Sequence, residues 1–339
     1  MAVAIVLVLS ASDPAARQTE EPLAVARILA GKYPAQPIMS YIPALSWSSS
    51  FRLSAITKEP QWRDKANKDI QAFVTGQTPA IAEPYRLTSM AGALAFADAA
   101  SMNGDSAAGA LAQKVAAFIL PQQPGEVIRF ATGWTDDMFM ASSVLSRVEN
   151  GKHAAVVGKL LTTYAEKLQR PDGIFIHAID GPHAWGRGNG FALLGMTEAL
   201  THLPATWNDR ARVLDSYRRQ VAALAKLQSE DGSWRQVVDE PSSYRELTVT
   251  AMTTAAMARG VRLGWIDRAT YQQVINRGWS AVAARVNADG TVKDVCSGTG
   301  AQATKDYYLN RPVVNGADDR GGAMALLAAI EVAMLRRAR

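Results

Sequence analysis

The feature that most constrains the fold is a repeat of about 58 residues. Three Asp-Gly pairs begin at Asp172, Asp231 and Asp289, and each follows a long amphipathic stretch. Each pair opens a short β-like run: GIFIHAI, GSWRQVV and GTVKDVC. Asp-Gly favours tight turns because glycine accepts positive φ. A fixed period of this kind indicates a repeated supersecondary unit, and the chain has room for about six copies.

Helical periodicity agrees with this count. Twelve segments are typical of helices: 21–33, 40–57, 61–75, 86–102, 105–119, 136–149, 153–169, 187–202, 208–229, 246–263, 268–287 and 319–337. We therefore predict an all-α fold, an (α/α)6 barrel in which six helical hairpins form a toroid, with short β-like turns at one end. An open solenoid is the alternative. It would require polar caps on its terminal repeats, and the apolar final helix disfavours it.

Residues 1–20 begin with an apolar run, MAVAIVLVLSAS. The run resembles the central region of a signal peptide but has no basic residues before it. We interpret it as a possible signal or leader remnant, which favours a periplasmic or secreted location over a cytoplasmic one; a buried first segment is the alternative. The run is too short to span a bilayer. Residues 21–339 are expected to form a single catalytic domain.

The charge and cysteine content narrow the possible partners. The net charge is +5, with lysine and arginine scattered along the chain, so we expect no nucleic-acid partner and no membrane association. A small anionic substrate remains compatible with this charge. Cys296 is the only cysteine, and the four histidines lack metal-type spacing. We therefore expect no metal and no cofactor.

In a toroid, the segments after the Asp-Gly turns gather at one end. This places 174–190, 233–247 and 291–320 together, and functional residues commonly lie on loops carried by a rigid scaffold. We expect the site at this end of the barrel.

The stretch GWTDDMFM places two aspartates among apolar residues. One interpretation is helix capping, with Thr135 as the N-cap and the two acids in the first turn. Another is a general acid, Asp136, whose protonated form is favoured by Trp134 and other apolar neighbours. Asp136 and Met140 share a helix face, whereas Asp137 points elsewhere and is expected to support the junction.

Further candidates lie in HAWGRGNGF and GIFIHAID. A flexible glycine loop would explain the first stretch, but Trp185 could stack on a sugar and Arg187 could bind a carboxylate. His177 in the second stretch is either structural or part of the site. Gln236 and Tyr244 either line the site or form turns.

Together these segments resemble glycoside hydrolase family 105, the unsaturated rhamnogalacturonyl hydrolases, and more distantly family 88. The likeness rests on WTDDMFM, GIFIHAID, AWGRGNGF, DGSWRQVVDEPSSYRELTVTAM and NGADDRGGAMALLAAIE, which occur in the family's order between about residues 40 and 337. The resemblance implies an (α/α)6 barrel. It also implies hydration of the C4=C5 double bond of a terminal unsaturated uronate left by a polysaccharide lyase.

The resemblance implies roles for individual residues. Asp136 corresponds to the general acid/base, while His177, Trp185 and Arg187 correspond to residues of the substrate subsite. Trp134 and Phe191 are further candidates for substrate contact.

The sequence departs from the family at two places. Phe191 stands where the family has a tryptophan and lacks its N–H donor. The family's second aspartate is expected near the helix at 86–102, and the stretch EPYRLTSMAGAL has no acid at the expected place.

Other functions stay compatible with the sequence. The chain could be another (α/α)6 carbohydrate-active enzyme, such as a saturated-glycan hydrolase or a lyase. It could also be a non-catalytic carbohydrate-binding toroid, an alternative that the missing aspartate supports.

Overall fold

The computed structural model describes residues 21–338, so the expected leader segment 1–20 lies outside the described residues. Within residues 21–338 there are fourteen α-helices and four short strands. The helices are α1 Pro22–Lys32, α2 Tyr41–Thr57, α3 Pro60–Val74, α4 Leu87–Met90, α5 Ala93–Asn103, α6 Ser106–Ile119, α7 Thr135–Leu145, α8 Ala154–Leu168, α9 Gly186–His202, α10 Arg210–Lys226, α11 Leu247–Arg262, α12 Arg268–Ala283, α13 Lys305–Leu309 and α14 Asp319–Arg337. The strands are β1 Trp234–Arg235, β2 Arg245–Glu246, β3 Val292–Cys296 and β4 Val313–Gly316.

The helices form two concentric rings. The inner ring runs in the order α2, α5, α7, α9, α11 and α14, and α14 packs back against α2. The outer ring consists of α1, α3, α6, α8, α10 and α12, each of which precedes an inner helix in the chain. The predicted (α/α)6 barrel is confirmed, and the open solenoid is wrong because the first and last hairpins pack against each other. None of the helices in residues 21–338 is long and apolar enough to cross a membrane.

Burial differs between the two rings as their sequences predict. Inner helix α11 is buried along Leu247–Val261, because outer helices cover one side and the other inner helices the rest. Outer helix α10 buries one stripe of residues and exposes the opposite face, which is the amphipathic pattern of a surface helix.

The predicted helix 86–102 is divided at Ala91 and Gly92. A Cβ atom on Gly92 would lie 2.7 Å from the sulfur of Met39, so a larger residue here would have to displace the end of the Met39 side chain.

The three Asp-Gly turns have the same geometry. Gly173, Gly232 and Gly290 have φ of 95°, 86° and 78°, and each preceding aspartate accepts a hydrogen bond from the N–H two residues later. A Cβ atom on Gly173 would lie 2.5 Å from a carbonyl oxygen of α10, and one on Gly232 would lie 2.2 Å from a carbonyl oxygen of α12. Gly290 packs against Lys32 of α1. Each turn therefore contacts the next outer helix, and the last turn contacts the first helix.

The segments that follow these turns gather at one end of the barrel, as predicted. Strands β1 and β2 pair antiparallel, and so do β3 and β4. Trp185 forms a bridge to Val237, and the His183 side chain contacts the carbonyl oxygen of Ala303 at 2.9 Å. These contacts join the three segments into one surface above the inner helices.

A ring of alternating charges lies at the opposite end of the barrel, with ion pairs between all neighbours except Arg52 and Asp98. Each inner helix contributes one member, which for α7 is the second residue after its end: Arg52, Asp98, Arg147, Glu198, Arg259 and Glu331. The ion pairs include Arg147 with Asp98 at 2.9 Å and Arg259 with Glu198 at 2.9 Å. Glu331 pairs with both Arg52 and Arg259 at 2.5 Å. This ring links all six hairpins.

Candidate active site

The N-terminal ends of the inner helices meet at the loop end of the barrel. Inner helices α9 and α11 begin there at Gly186 and Leu247, within or at the end of two of the gathered segments, and α7 begins there at Thr135. The first turn of a helix carries N–H groups without helical partners and the positive end of the helix dipole. Several such ends directed at one space favour an anionic ligand.

Asp136 lies in the first turn of α7, with its side chain 16% exposed. Nε2 of His177 lies 3.2 Å from its Oδ2 atom, and its Oδ1 atom has no partner among the described residues. The backbone N–H of Thr135 donates to the carbonyl oxygen of His177 at 2.9 Å. The prediction that Thr135 caps α7 is wrong. Trp134 occupies the N-cap, because Asp137 reaches back to bind the preceding loop.

Asp137 is buried and holds the start of α7 in place. Its carboxylate accepts hydrogen bonds from the N–H groups of Thr132 and Gly133 at 2.7 and 2.8 Å, and from the hydroxyl of Tyr164 at 2.7 Å. Burial raises the pKa of Asp137 to about 6, and these donors oppose that rise. The two adjacent aspartates therefore have different surroundings. Asp137 supports the junction, as predicted from its helix face, and Asp136 faces open space.

His177 is fully buried and connects Asp136 to Tyr308. The hydroxyl of Tyr308 lies 2.9 Å from Nδ1 of His177 and accepts a hydrogen bond from the N–H of Gln302 at 3.2 Å. The carboxylate of Asp136 only accepts, so Nε2 carries a ring hydrogen, and the hydroxyl of Tyr308 donates to Nδ1 while it accepts from Gln302. This arrangement assigns the ring hydrogen of neutral His177 to Nε2, where it donates to Asp136.

Trp185 and Arg187 lie behind His177. The Trp185 ring is 4.5 Å from the His177 ring, and the Arg187 guanidinium lies 4.7 Å above Trp185. Arg187 is 2% exposed and donates to the carbonyl oxygens of Cys296 and Ser297, both at 2.8 Å. These bonds fix the start of segment 297–312, which carries Tyr308. Nε1 of Trp185 and Nε of Arg187 are buried without a protein partner. Their roles as substrate ligands stay predictions.

The remaining aromatic candidates differ in exposure. Phe191 is buried against Phe139, with ring centroids 5.9 Å apart, and it supports the site from within the barrel. Trp134 is only partly buried and lies 5.3 Å from the His177 ring. Gln236 and Tyr244 lie behind the site, where the N–H of Gln236 donates to the carbonyl oxygen of Tyr244. Substrate contact by Trp134 and Phe191 stays a prediction.

A cavity of about 400 Å3 opens beside Asp136. It is lined by α4, the start of α7 and the loop before α7: Tyr85, Arg86, Leu87, Thr88, Phe130, Ala131, Thr132, Trp134, Asp136, Asp137 and Met140. Asp136 and Met140 line it together, as their shared helix face predicts. Leu87 and Thr88 stand near the place of the missing second aspartate, so α4 contributes no carboxylate.

Among residues 21–338, no three His, Cys, Asp or Glu side chains converge as metal ligands would.

Sequence reasoning missed Tyr308 and Tyr41. Tyr308 lies in the short helix α13, far along the chain from His177, where no local pattern marks it. Tyr41, the first residue of α2, packs edge-on against Phe191 with ring centroids 5.4 Å apart. Burial raises the pKa of Tyr41 to about 12, so its hydroxyl stays protonated as a hydrogen-bond donor. Its place at a helix start of the site end is the signal that could have found it.

A model of Glycosyl Hydrolase Family 88 matches residues 25–336, which include every helix around this site. The chain belongs to glycosyl hydrolase family 88. The expected relationship to families 105 and 88 is thereby confirmed, and the match covers almost the whole of both rings.

Some of the curated proteins similar to this family 88 member are named as hydrolases of unsaturated sugars. It is 26% identical over 209 residues to an unsaturated rhamnogalacturonyl hydrolase, YesR, of Bacillus subtilis, an alignment that covers 58% of this chain and 56% of that protein. It is 32% identical over 113 residues to an unsaturated 3S-rhamnoglycuronyl hydrolase of Alteromonas sp., covering 33% of this chain and 27% of that protein. These alignments span about half or less of the relatives' length.

Solved structures show the same fold. A possible family 105 member from Salmonella enterica superposes with a TM-score of 0.82 at 19% identity, covering 98% of this chain and 100% of that one. The unsaturated glucuronyl hydrolase of Bacillus sp. GL1 gives 0.66 at 13% identity, covering 93% and 96%. At these identities the likeness concerns the fold of the family 88 member alone.

Proposed function

We propose that this family 88 member is a glycoside hydrolase that removes a terminal unsaturated uronate from small anionic oligosaccharides produced by polysaccharide lyases. The observation that carries the proposal is the single available carboxyl group in the cavity. Asp136 faces the open space with Oδ1 unpartnered among the described residues. The carboxylate of Asp137 also borders the cavity, but hydrogen bonds from the preceding loop and from Tyr164 of α8 occupy it.

One free carboxyl group favours hydration over direct cleavage at the anomeric carbon. Most hydrolases of saturated glycosides need two carboxyl groups, one as acid and one as nucleophile or base. Hydration of a C4=C5 double bond needs only one group that first donates and then accepts a proton. This distinction favours the proposed reaction over the saturated-glycan alternative.

The reaction proceeds in steps that Asp136 can serve alone. Its carboxyl proton adds to C4 of the double bond, and a water molecule adds its oxygen to C5. The carboxylate of Asp136 takes the proton that the water loses. The resulting hemiketal opens to a ketone, and C1 becomes an aldehyde as the neighbouring sugar leaves as an alcohol.

His177 and Tyr308 prepare Asp136 for both steps. The Nε2 hydrogen of His177 donates to Oδ2, which directs the reactive proton to Oδ1 and stabilises the carboxylate formed after transfer. Tyr308 maintains this tautomer through Nδ1. His177 and Tyr308 are positioning residues in this scheme.

The helix ends and buried donors support an anionic substrate. The positive ends of the inner helices favour the uronate carboxylate. The unpartnered N–H groups of Trp185 and Arg187 offer hydrogen bonds that the protein itself leaves unmade. The names of the curated relatives, which refer to unsaturated uronyl sugars, point to the same substrate class.

A substrate panel tests the proposal. The protein is incubated with matched saturated and unsaturated uronyl disaccharides, and loss of the ultraviolet absorbance of the double bond is followed together with release of the second sugar. We expect turnover of the unsaturated members only. Cleavage of the saturated members would favour a different family activity, and binding without turnover would favour a carbohydrate-binding toroid.

A further inference from the structure

One wall of the cavity carries an arginine whose guanidinium has no partner among the described residues. Arg86, just before α4, is exposed, and its guanidinium forms no hydrogen bond or ion pair with another described residue. Other arginines at this end are engaged: Arg187 binds carbonyl oxygens, Arg311 lies over Tyr307, and Arg320 pairs with Asp318. Arg86 therefore offers its charge to whatever enters the cavity.

The same wall contains a strained aromatic residue. Phe130 has φ of 60°, in the left-handed region that a bulky side chain rarely adopts. Such a conformation costs about 1–3 kcal/mol and persists where the surrounding structure enforces it, commonly at ligand sites. Phe118 lies 5.4 Å from the Phe130 ring, and the guanidinium of Arg129 lies 4.6 Å from it. These contacts hold Phe130 against the cavity.

Tyr85 extends this aromatic surface. Its ring lies 5.7 Å from that of Phe130 and 5.1 Å from that of Phe118, and 40% of the residue is exposed. Exposed aromatic faces beside a charged group suit a sugar that carries an anionic substituent, because the ring faces contact C–H groups while the cation binds the anion.

The position of this wall identifies which sugar it would contact. His177 approaches Asp136 from the side of Trp185 and Tyr308, and those side chains surround the reacting end. Tyr85, Arg86 and Phe130 line the cavity away from that group. A substrate whose unsaturated ring lies over the unpartnered Oδ1 of Asp136, beside Trp134, would extend its second sugar along the Arg86 wall.

We propose that Tyr85, Arg86 and Phe130 form the subsite for the leaving sugar, and that Arg86 selects a leaving sugar bearing an anionic group, either a sulfate ester or a carboxylate. This inference rests on the proposed function. It adds a specificity that the reaction does not require, since hydration at C4 and C5 proceeds whatever the second sugar carries.

Three unsaturated disaccharides with the same terminal uronate test the inference. Their leaving sugars are rhamnose, rhamnose with a sulfate ester, and a uronate. We expect the wild-type protein to prefer one or both anionic members in kcat/KM, and the identity of the preferred member distinguishes sulfate from carboxylate. Arg86→Ala should lower kcat/KM for the preferred anionic member by about 5–10-fold, as for one partly exposed charge-assisted contact. kcat/KM for the neutral member should fall by a smaller factor, because that sugar carries no anion for Arg86 to bind.

Two further variants separate a local contact from general charge effects. Arg212→Ala removes an exposed arginine on an outer helix and should leave all three rates unchanged. Arg86→Lys should retain part of the preference. Higher salt should reduce the preference of the wild type but not of Arg86→Ala.

The outcomes distinguish this inference from the proposed function. An equal preference in the wild type and in Arg86→Ala, with normal turnover, overturns the role of Arg86 and leaves the reaction intact. The absence of wild-type turnover on all three disaccharides overturns the proposed function and, with it, this subsite.

Discussion

Replacing Glu331 with glutamine should destabilise the fold by about 3 kcal/mol at neutral pH. Glu331 is fully buried and pairs with Arg52, Arg259 and Arg262 at 2.5, 2.5 and 3.0 Å. Burial alone would raise the pKa of its carboxyl, but Arg259 and Arg52 outweigh burial and lower the pKa from 4.5 to about 2. At 1.36 kcal/mol per pKa unit, this difference corresponds to about 3 kcal/mol. Breaking a buried ion pair from one side costs about 3–5 kcal/mol, which is consistent with that value.

The pH dependence of stability provides a second readout. The pKa of Glu331 is lower in the folded state than in the unfolded state, so its stabilisation is present above about pH 4.5 and is lost as the pH falls towards 2. The difference in unfolding free energy between the wild type and Glu331→Gln should therefore narrow over this range. Denaturant titrations followed by circular dichroism at several pH values measure it.

The matched control is Glu166→Gln. Glu166 pairs with Arg212 on the outer surface, where both side chains are more than half exposed, so its loss should cost at most about 0.5 kcal/mol. Two results would refute the assignment of this stabilisation to the buried ion pairs of Glu331. One is an equal unfolding free energy for Glu331→Gln and Glu166→Gln. The other is a difference between the wild type and Glu331→Gln that does not change with pH.

Three other variants address the site and the turns. Asp137→Asn should reduce stability by about 1–3 kcal/mol in thermal or denaturant unfolding, because the amide cannot accept all the hydrogen bonds of the carboxylate; unchanged stability would contradict its anchoring role. Tyr308→Phe should lower kcat about tenfold with little change in KM, since His177 loses the partner of Nδ1, and a change confined to KM would argue against positioning. Gly232→Ala should cost about 2–4 kcal/mol in denaturant unfolding, because its Cβ would meet a carbonyl oxygen at 2.2 Å. Gly264 has φ of 73°, and a Cβ atom there would have no other atom within 4 Å, so Gly264→Ala should cost only about 1 kcal/mol. Equal losses of unfolding free energy in the two glycine variants would exclude the contact with the carbonyl oxygen as the cause of the Gly232→Ala effect.

Much of the fold follows from the sequence because each hairpin carries local signals. Amphipathic periodicity marks the outer helices, continuous apolar runs mark the inner ones, and the Asp-Gly turns fix the repeat. The ring of charges had no such signal. A residue such as Arg52 is a single charge within its own helix, and only closure of the barrel brings it next to Glu331.

The site was predictable in part for the same reason. The structure brings Asp136 and His177 together, and both lie in stretches with unusual composition. The contact of His177 with Tyr308 depends on the path of segment 297–312 and its short helix α13, which no periodicity specifies. The error at Thr135 has a physical cause. A threonine before two acids is typical of a capping residue, but Asp137 binds the preceding loop and moves the helix start by one residue.

The measurement that tests the central claim most directly is turnover of an unsaturated uronyl disaccharide by Asp136→Asn. Asp136 makes one side-chain hydrogen bond in the described structure, so the variant should keep the unfolding free energy of the wild type within about 1 kcal/mol. Ultraviolet-monitored loss of the double bond should be abolished, while substrate binding measured by calorimetry persists. Full activity in a folded Asp136→Asn protein would contradict the assignment of Asp136 as the acid that protonates C4.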